Sequence, residues 1–204
     1  MSDFLTFDAV EVDILKEISN IGVSKAATAL SEMLNSRVNI AVPSCRMATY
    51  SEIGNIFGDP EKVFCAVLIQ LFGDLDGFIM FCQELDSSVK TVETLAHTDI
   101  TADISDMGKL AEELAPLEEI ANIMMGSYLA SMEKLTKLNI NQSVPSLCID
   151  IITAIMNIPA LMYAEISDEV IIVETKFIDC EVNGHFLLLP NFESFKKIIN
   201  VLRV

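Results

Sequence analysis

Residues 13–44 read DILKEISNIGVSKAATALSEMLNSRVNIAVPS, and residues 115–146 read APLEEIANIMMGSYLASMEKLTKLNINQSVPS. The two stretches align without gaps at an offset of 102 residues and share nine identities. Average residue usage would give about two identities by chance. The match therefore indicates an internal duplication, which determines the architecture before any local pattern is considered. The identical pairs are Leu15/Leu117, Glu17/Glu119, Ile18/Ile120, Asn20/Asn122, Ile21/Ile123, Asn39/Asn141, Val42/Val144, Pro43/Pro145 and Ser44/Ser146.

A weaker similarity continues beyond the aligned stretches. Residues 63–82 and 170–189 are apolar runs interrupted by turn residues, a pattern typical of strand, turn and strand. In the second run the Asn183-Gly184 pair predicts the turn, and it makes the neighbouring His185 a hairpin residue. A helical pattern follows each run, at 84–97 and at 191–202.

The duplication predicts one domain over residues 1–204. Its two repeats span about 8–98 and 105–204, and each contains a helix, a strand, a hairpin and a closing helix. The expected fold class is therefore mixed, α/β or α+β.

The first repeat opens with a long helical pattern over residues 8–35. Asp8 and Glu11 have the spacing of a capping box, which marks a helix start. Residues 38–42 alternate as a strand does, and Pro43 either ends this strand or lies on a sheet edge. The predicted core face of the helix consists of Ile14, Leu15, Ile18, Ile21, Ala26, Leu30 and Met33.

A polar stripe runs along the opposite side of this helix. Asp13, Glu17, Asn20 and Ser24 recur at helical spacing, so their side chains share one face.

The second repeat carries the stripe in altered form. Glu119, Asn122 and Gly126 continue it, but Ala115 stands where the first repeat has Asp13. Pro116 suits the first position of a helix and not its interior, so we expect a short helix over 105–114 and a new start at Pro116.

The net charge of the chain limits the classes of molecule that it can bind. Thirteen Lys and Arg against 30 Asp and Glu give a formal net charge of −17. Such a chain is a poor ligand for nucleic acid and for anionic membrane surfaces.

Mean hydropathy is high, at +0.45, but no segment predicts a membrane span. The most apolar stretch, residues 147–163, contains Asp150, Asn157 and Pro159, so we interpret it as buried or interfacial. The first residues show neither a basic nor an apolar leader pattern, and we expect a cytoplasmic protein.

Metal and nucleophile motifs are weak. The five cysteines have no CxxC spacing, and no Cys, His and Asp cluster surrounds His97 or His185, so no metal site is expected. Buried, reduced thiols are the expected state of the cysteines. The sequence also contains no phosphate-binding glycine loop and no serine-hydrolase elbow.

The remaining candidate chemistry is the doubled Glu-x-x-Asn pair. Glu17 with Asn20, and Glu119 with Asn122, project from adjacent positions of a helix face. A carboxamide can hold a water molecule by hydrogen bonds while a carboxylate binds a cation. From the residues alone, solvated face positions that survived the duplication remain an equal alternative.

These motifs resemble a known family. Asp13-x3-Glu17-x2-Asn20-x22-Pro43 and the copy x3-Glu119-x2-Asn122-x22-Pro145 are similar to the doubled signature of the CheC family of chemotaxis phosphatases, a group that also includes CheX and FliY. The segments KEISNIG at 16–22 and EEIANIM at 118–124 are typical of that family. The resemblance covers nearly the whole chain.

The resemblance implies a fold with pseudo-two-fold symmetry, in which two long surface helices lie beside a six-stranded sheet arrangement. It implies hydrolysis of the aspartyl phosphate of the response regulator CheY. Asn20 and Asn122 would orient water, while Glu17 and Glu119 would bind a lysine of the regulator; Asp13, Pro43 and Pro145 would support them. Mg²⁺ would come from the regulator, so the chain would need no cofactor of its own. Because Ala115 and Pro116 depart from the pattern, we expect the first site to dominate.

The resemblance also implies a second partner, the receptor deamidase CheD. Residues 147–155 resemble the family's CheD-binding region, with Asp150, Ile151 and Ile155 as candidate contacts. A buried segment with Asp150 hydrogen-bonded inside is the open alternative. For the whole protein, the alternative to an enzyme is an adaptor that binds phosphorylated CheY or regulates CheD. We expect a monomer, because duplication supplies the symmetry of a dimer within one chain.

Overall fold

The computed structural model describes residues 9–49, 52–59, 61–162, 169–179 and 181–202. Asp8 of the predicted capping box and Cys180 lie outside the described residues. Within the described part the helices are α1 (Ala9–Met33), α2 (Ile53–Ile56), α3 (Leu85–Leu95), α4 (Met107–Glu113), α5 (Pro116–Thr136), α6 (Ile152–Met162) and α7 (Phe192–Leu202). The strands are β1 (Ile40–Thr49), β2 (Val63–Gly73), β3 (Gly77–Glu84), β4 (Ile140–Gln142), β5 (Ser146–Ile151), β6 (Glu169–Phe177) and β7 (Val182–Pro190).

The strands form one antiparallel sheet in the order β1-β6-β7-β3-β2, and β4 and β5 both pair with β2. The described residues form seven strands of this sheet, where six were expected. Because β4 pairs with residues 71–73 and β5 with residues 63–68 of the same strand, the two share one position across the sheet. The predicted mixed fold with an internal repeat is confirmed.

The two repeats exchange strands. β1 of the first repeat pairs with β6 of the second, while β4 and β5 of the second repeat pair with β2 of the first. The centre of the sheet is the β3–β7 pair, one strand from each repeat, where the pseudo-two-fold axis passes. The extent of the repeats and the single-domain assignment for residues 1–204 stay predictions.

The sheet separates two hydrophobic cores. On one face, the motif helices α1 and α5 pack with α3, α4 and α7 against side chains such as Ile69 and Phe186. On the other face, α2 and α6 cover a smaller cluster that includes Phe64 and Leu187. Strands covered on both faces read as continuous apolar runs, which explains the buried stretches of β2, β3 and β7.

The motif helices α1 and α5 pack directly on each other. A Cβ on Gly22 of α1 would stand 2.7 Å from the Cα of Tyr128 on α5, so the absence of a side chain permits this approach. The Tyr128 ring is fully buried and stacks on Phe186 of the sheet, with ring centroids 6.3 Å apart. The helices therefore form one rigid layer on the sheet.

The structure agrees with the predicted short helix before Pro116 and with the predicted helix start at Pro116. α4 is the expected short helix, and α5 begins with Pro116 at its first position. Ala115 has helical dihedral angles, so α4 leads into α5 without a capping side chain. Met33, the last residue of α1, was predicted in the core but is 43% exposed.

The turn predicted at Asn183-Gly184 is wrong. Both residues lie within β7, and the chain reverses before Val182. Gly184 is required by packing: a Cβ there would stand 2.6 Å from the Phe81 ring. His185 is consequently a half-buried sheet residue whose ring packs against Phe57 at 4.8 Å between centroids. Among the described residues, no helix has the length and apolar character needed to cross a bilayer.

Candidate functional site

The first polar stripe is exposed on a firmly anchored helix. Asp13, Glu17, Asn20 and Ser24 all face solvent. Ile18 is fully buried on the opposite face, which fixes the rotation of α1 about its axis. The helix therefore presents a carboxylate and a carboxamide three residues apart to an approaching surface.

Asn20 lies at one end of an open groove between α1 and the strand that follows it. The groove has a volume of about 620 Å³ and extends along α1 as far as Ser31. The facing wall consists of residues 37–42, which include the start of β1. β1 is the outermost described strand on its side of the sheet, and among the described residues no further strand covers this groove.

The second stripe is arranged in the same way, with differences in exposure. Glu119 is exposed and Asn122 is half-buried, while Ile120 between them is 1% exposed. Ala115 lies one turn before Glu119 and is exposed, but its side chain has no polar atom. The two sites are therefore unequal in both sequence and surroundings.

Glu118 fixes the start of α5 to the sheet. Its Oε1 accepts a hydrogen bond from the backbone N–H of Leu147 on β5, at 2.7 Å. The residue at the matching position of the first repeat is Lys16, which cannot accept a hydrogen bond. This hydrogen bond ties α5 to β5 at the residue directly before Glu119.

The two motif prolines interrupt the sheet edges. Pro43 lies within β1 at an irregularity in its pairing with β6, between Ala41 and Ser44. Pro145 lies between β4 and β5 and separates them. Proline has no N–H for the ladder, so it is tolerated at such edges. Pro43 lines a cavity with Glu174 and His185, whereas the neighbouring Val42 lines the groove of Asn20.

The predicted CheD-binding residues divide between surface and core. Asp150 is exposed at the edge strand β5, and its Oδ1 accepts a hydrogen bond from the N–H of Ile151 at 2.7 Å. Ile151 is half-buried. Ile155 is fully buried in the smaller core, so its side chain is not available to a partner.

Three buried thiols are poor nucleophiles. Burial raises the pKa of Cys45 and of Cys65 to about 11, so both thiols are protonated at neutral pH. Cys82 is also buried, and burial raises its pKa further. No group of three or more His, Cys, Asp or Glu side chains within this part of the chain is placed to hold a metal ion.

The groove residues that were missed at the sequence level include Thr28 and Arg37. Thr28 lies one turn beyond Ser24 and lines the groove, so extending the stripe by one step would have found it. Arg37 also lines the groove, but no local spacing marks it. Its position depends on how the chain returns from α1 into β1.

Comparison with known proteins agrees with this arrangement. Residues 10–45 and 112–149 match the model described as the CheC-like family. Both repeats carry the CheC-like pattern. The resemblance inferred from the two motifs is thereby confirmed, and the matched segments contain Glu17, Asn20, Glu119 and Asn122.

Relatives extend the similarity over the whole chain. The chain is 28% identical to the CheY-P phosphatase CheC of Bacillus subtilis over 207 residues, which cover 99% of this chain and 98% of that protein. The crystal structure of Thermotoga maritima FliY is similar with a TM-score of 0.71 and 20% identity, and 98% of each chain is covered.

A second similar structure is the CheX–CheY–BeF3–Mg²⁺ complex of Borrelia burgdorferi. Its TM-score is 0.52 at 16% identity, with 82% of this chain and 95% of that chain covered. At such identities the FliY and CheX structures establish the fold that this chain shares.

Proposed function

We propose that the protein is a phosphatase that accelerates hydrolysis of the aspartyl phosphate of the chemotaxis response regulator CheY. The main support is that the two segments matching the CheC-like family contain the two Glu-x-x-Asn pairs, each on a solvent-facing helix stripe. The full-length relative of Bacillus subtilis is a CheY-P phosphatase, which favours the same substrate here.

In this proposal the chain contributes two side chains at each site. Asn20 and Asn122 each enter the regulator's active site and orient a water molecule in line with the phosphorus. Glu17 and Glu119 bind the regulator's lysine, which fixes the docked position. The Mg²⁺ that neutralises charge on the phosphoryl oxygens belongs to the regulator.

The rigidity of the helices favours this role. Orienting water requires a side chain held in place before docking, because positioning is most of what catalyses phosphoryl transfer. Ile18 and Ile120 are buried between the two motif residues of their repeats and anchor the backbone there. Glu17 and Asn20 need only adjust their side chains.

The decisive experiment measures the decay of phosphorylated CheY in excess Mg²⁺. We compare the wild type with Glu17→Ala/Asn20→Ala, with Glu119→Ala/Asn122→Ala, and with all four changes together. The wild type should accelerate decay and the quadruple variant should not. Glu32→Ala and Lys134→Ala, at exposed positions of α1 and α5 outside the motifs, are the matched controls.

The same experiment separates the adaptor alternative, which Ala115 favours because it removes a family side chain from the second site. If the wild type binds CheY without accelerating decay, or slows it, the motifs are docking surfaces and the phosphatase proposal is wrong. We also expect Asn20→Ala to remove more activity than Asn122→Ala. The reverse order would overturn our ranking of the sites.

CheD binding is a separate proposal. The exposed carboxylate of Asp150 beside the half-buried Ile151 would give a polar anchor within an apolar edge. Co-purification of CheD with Asp150→Lys tests it, because undiminished capture by a folded variant would exclude this surface. A monomeric, cytoplasmic protein is the form in which we expect these activities.

A further inference from the structure

The groove beside Asn20 exists because the side chains of α1 along it are small. Ser24, Ala27, Thr28 and Ser31 form the helix wall. Ser31 also connects the two walls, since its Oγ accepts a hydrogen bond from the N–H of Val38 at 2.9 Å.

The second repeat has larger side chains at the matching positions. At the offset of 102 residues, Leu129 replaces Ala27 and Glu133 replaces Ser31. Glu133 makes the same connection as Ser31, because its Oε1 accepts from the N–H of Ile140 at 2.7 Å. Leu129 is 4% exposed and belongs to the main core. Space that is open in the first repeat is therefore filled in the second.

The amide side chain of Gln142 adds to this filling. Its Nε2 lies 3.9 Å from the point where a Cβ on Gly126 would stand. Gly126 matches Ser24 of the groove wall, so Gln142 lies against the helix where the first repeat leaves Ser24 accessible.

Charge distinguishes the two repeats further. Arg37 is the one charged side chain among the described residues that line the groove, and its counterpart in the second repeat is Asn139. Arg37 is exposed, and its Nε–H donates to Oδ1 of Asn39 at 3.2 Å. In a chain with a net charge of −17, this places a cation at the end of the groove opposite Asn20.

We propose that this groove docks the surface of the response regulator around its phosphoaspartate, and that it makes the first site the higher-affinity one. The proposal rests on the phosphatase function proposed above. A phosphoaspartyl site that holds Mg²⁺ is surrounded by carboxylates. An acidic protein repels such a surface, so a cation at the far end of the groove that starts at Asn20 favours docking at the first site.

The chain itself supplies the test variants. Ala27→Leu/Ser31→Glu fills the groove with the side chains of the second repeat, and Arg37→Asn replaces its cation in the same way. These side chains occur at matching positions of the same fold, and Glu retains an acceptor for the N–H of Val38. Glu32→Lys exchanges an exposed residue of α1 outside the groove for its second-repeat counterpart and is the control.

Each variant is assayed with phosphorylated CheY in two backgrounds. In Asn122→Ala, where only the first site acts, we expect groove filling or Arg37→Asn to raise KM roughly five- to tenfold, as loss of a central interface contact does. The kcat should not change, because Asn20 remains. In Asn20→Ala, where only the second site acts, neither change should alter KM. The effect of Arg37→Asn should shrink at high salt, whereas that of groove filling should persist.

An unchanged KM of the filled variant in the Asn122→Ala background would overturn the proposal, and so would an equal change in both backgrounds. If the wild type does not accelerate decay, the phosphatase proposal fails by itself. Docking is then measured by titration with CheY in its BeF3–Mg²⁺ form. Weaker binding by the Ala27→Leu/Ser31→Glu variant would still support the groove, while equal binding or no binding would exclude it.

Discussion

Asn39 and Asp179 belong to different repeats and bind each other through two hydrogen bonds. The backbone N–H of Asn39 donates to Oδ2 of Asp179 at 2.6 Å, and its Nδ2 donates to Oδ1 at 2.9 Å. A related pair lies in the other half of the molecule, where the N–H of Asn139 donates to Oδ2 of Asp74 at 2.9 Å. Each pair fixes the segment after a motif helix to the hairpin of the other repeat.

We expect Asp179→Ala to lower the free energy of unfolding by about 1–2 kcal/mol, since it removes two charge-assisted hydrogen bonds at a solvent-exposed site. Asp74→Ala should cost less, because one side-chain bond is lost there. Urea denaturation of both variants measures the difference. The prediction is contradicted if Asp74→Ala lowers the free energy of unfolding more than Asp179→Ala does.

Gly22→Ala tests the contact between the motif helices. The added Cβ would stand 2.7 Å from the backbone of Tyr128, so α1 and α5 must separate. Overpacking of this kind costs about 1–3 kcal/mol. Gly126→Ala on α5 is the control, because its nearest neighbour would be 3.9 Å away and alanine gains up to about 1 kcal/mol in a helix. Denaturation midpoints that move in the same direction would contradict the prediction.

Glu118 is expected to act as a positioning residue for the second site. Glu118→Ala leaves the N–H of Leu147 without its acceptor and frees the start of α5 from β5. In an Asn20→Ala background we expect a lower kcat for CheY-P hydrolysis, with recovery in Glu118→Gln, whose amide oxygen still accepts a hydrogen bond. The same changes in an Asn122→Ala background should leave kcat unaltered. Lys16→Ala, at the matching position of the first repeat, is the control.

His185 should make stability depend on pH. Burial lowers its pKa below the ordinary value for histidine, and its Nδ1 has no hydrogen-bond partner. The facing groups are Glu174, Arg46 and Glu84. Because the unfolded chain binds the proton more readily, stability is full above the unfolded pKa of about 6.5 and is lost as the pH falls from there through the lower pKa of the folded state.

Urea unfolding at a pH of about 7.5 and of about 5.5, on either side of the ordinary histidine pKa, measures this loss. The fall in the free energy of unfolding between the two pH values should be smaller in His185→Gln than in the wild type. His97 is present in both proteins, so the difference between them isolates His185. An equal loss in both would remove His185 as the cause.

The sequence predicts those features that depend on near neighbours along the chain. Proline at the first position of α5 follows from local geometry, and the exposure of Glu17 and Asn20 follows from helical periodicity. Where a side chain's surroundings come from distant segments, local rules fail. Gly184 is read as a turn residue although the Phe81 ring of another strand requires it. Ile155 is interpreted as a surface contact although the smaller core encloses it.

The sequence predicts the groove beside Asn20 only in part. The spacing of Ser24 and Thr28 predicts one wall, since both continue the stripe of Asn20. The other wall requires knowing where the chain passes after α1. Nothing near Arg37 in the sequence indicates that it lines the same groove as Asn20. Comparison with Asn139 becomes informative only when the two repeats are superposed.

The exchanged strands also bear on the origin of the chain. A polypeptide with one repeat would leave β2 without β4 and β5, so its hairpin would have an open edge; two copies could cover both edges by trading strands. Such a one-repeat polypeptide would be complete only as a symmetric homodimer with two identical sites, and joining its two copies in one chain would give the sheet seen here. Once fused, the halves mutate independently. Substitutions such as those at Ala115 and Asn139 then change one site while its twin stays intact, a divergence that symmetry forbids to a homodimer.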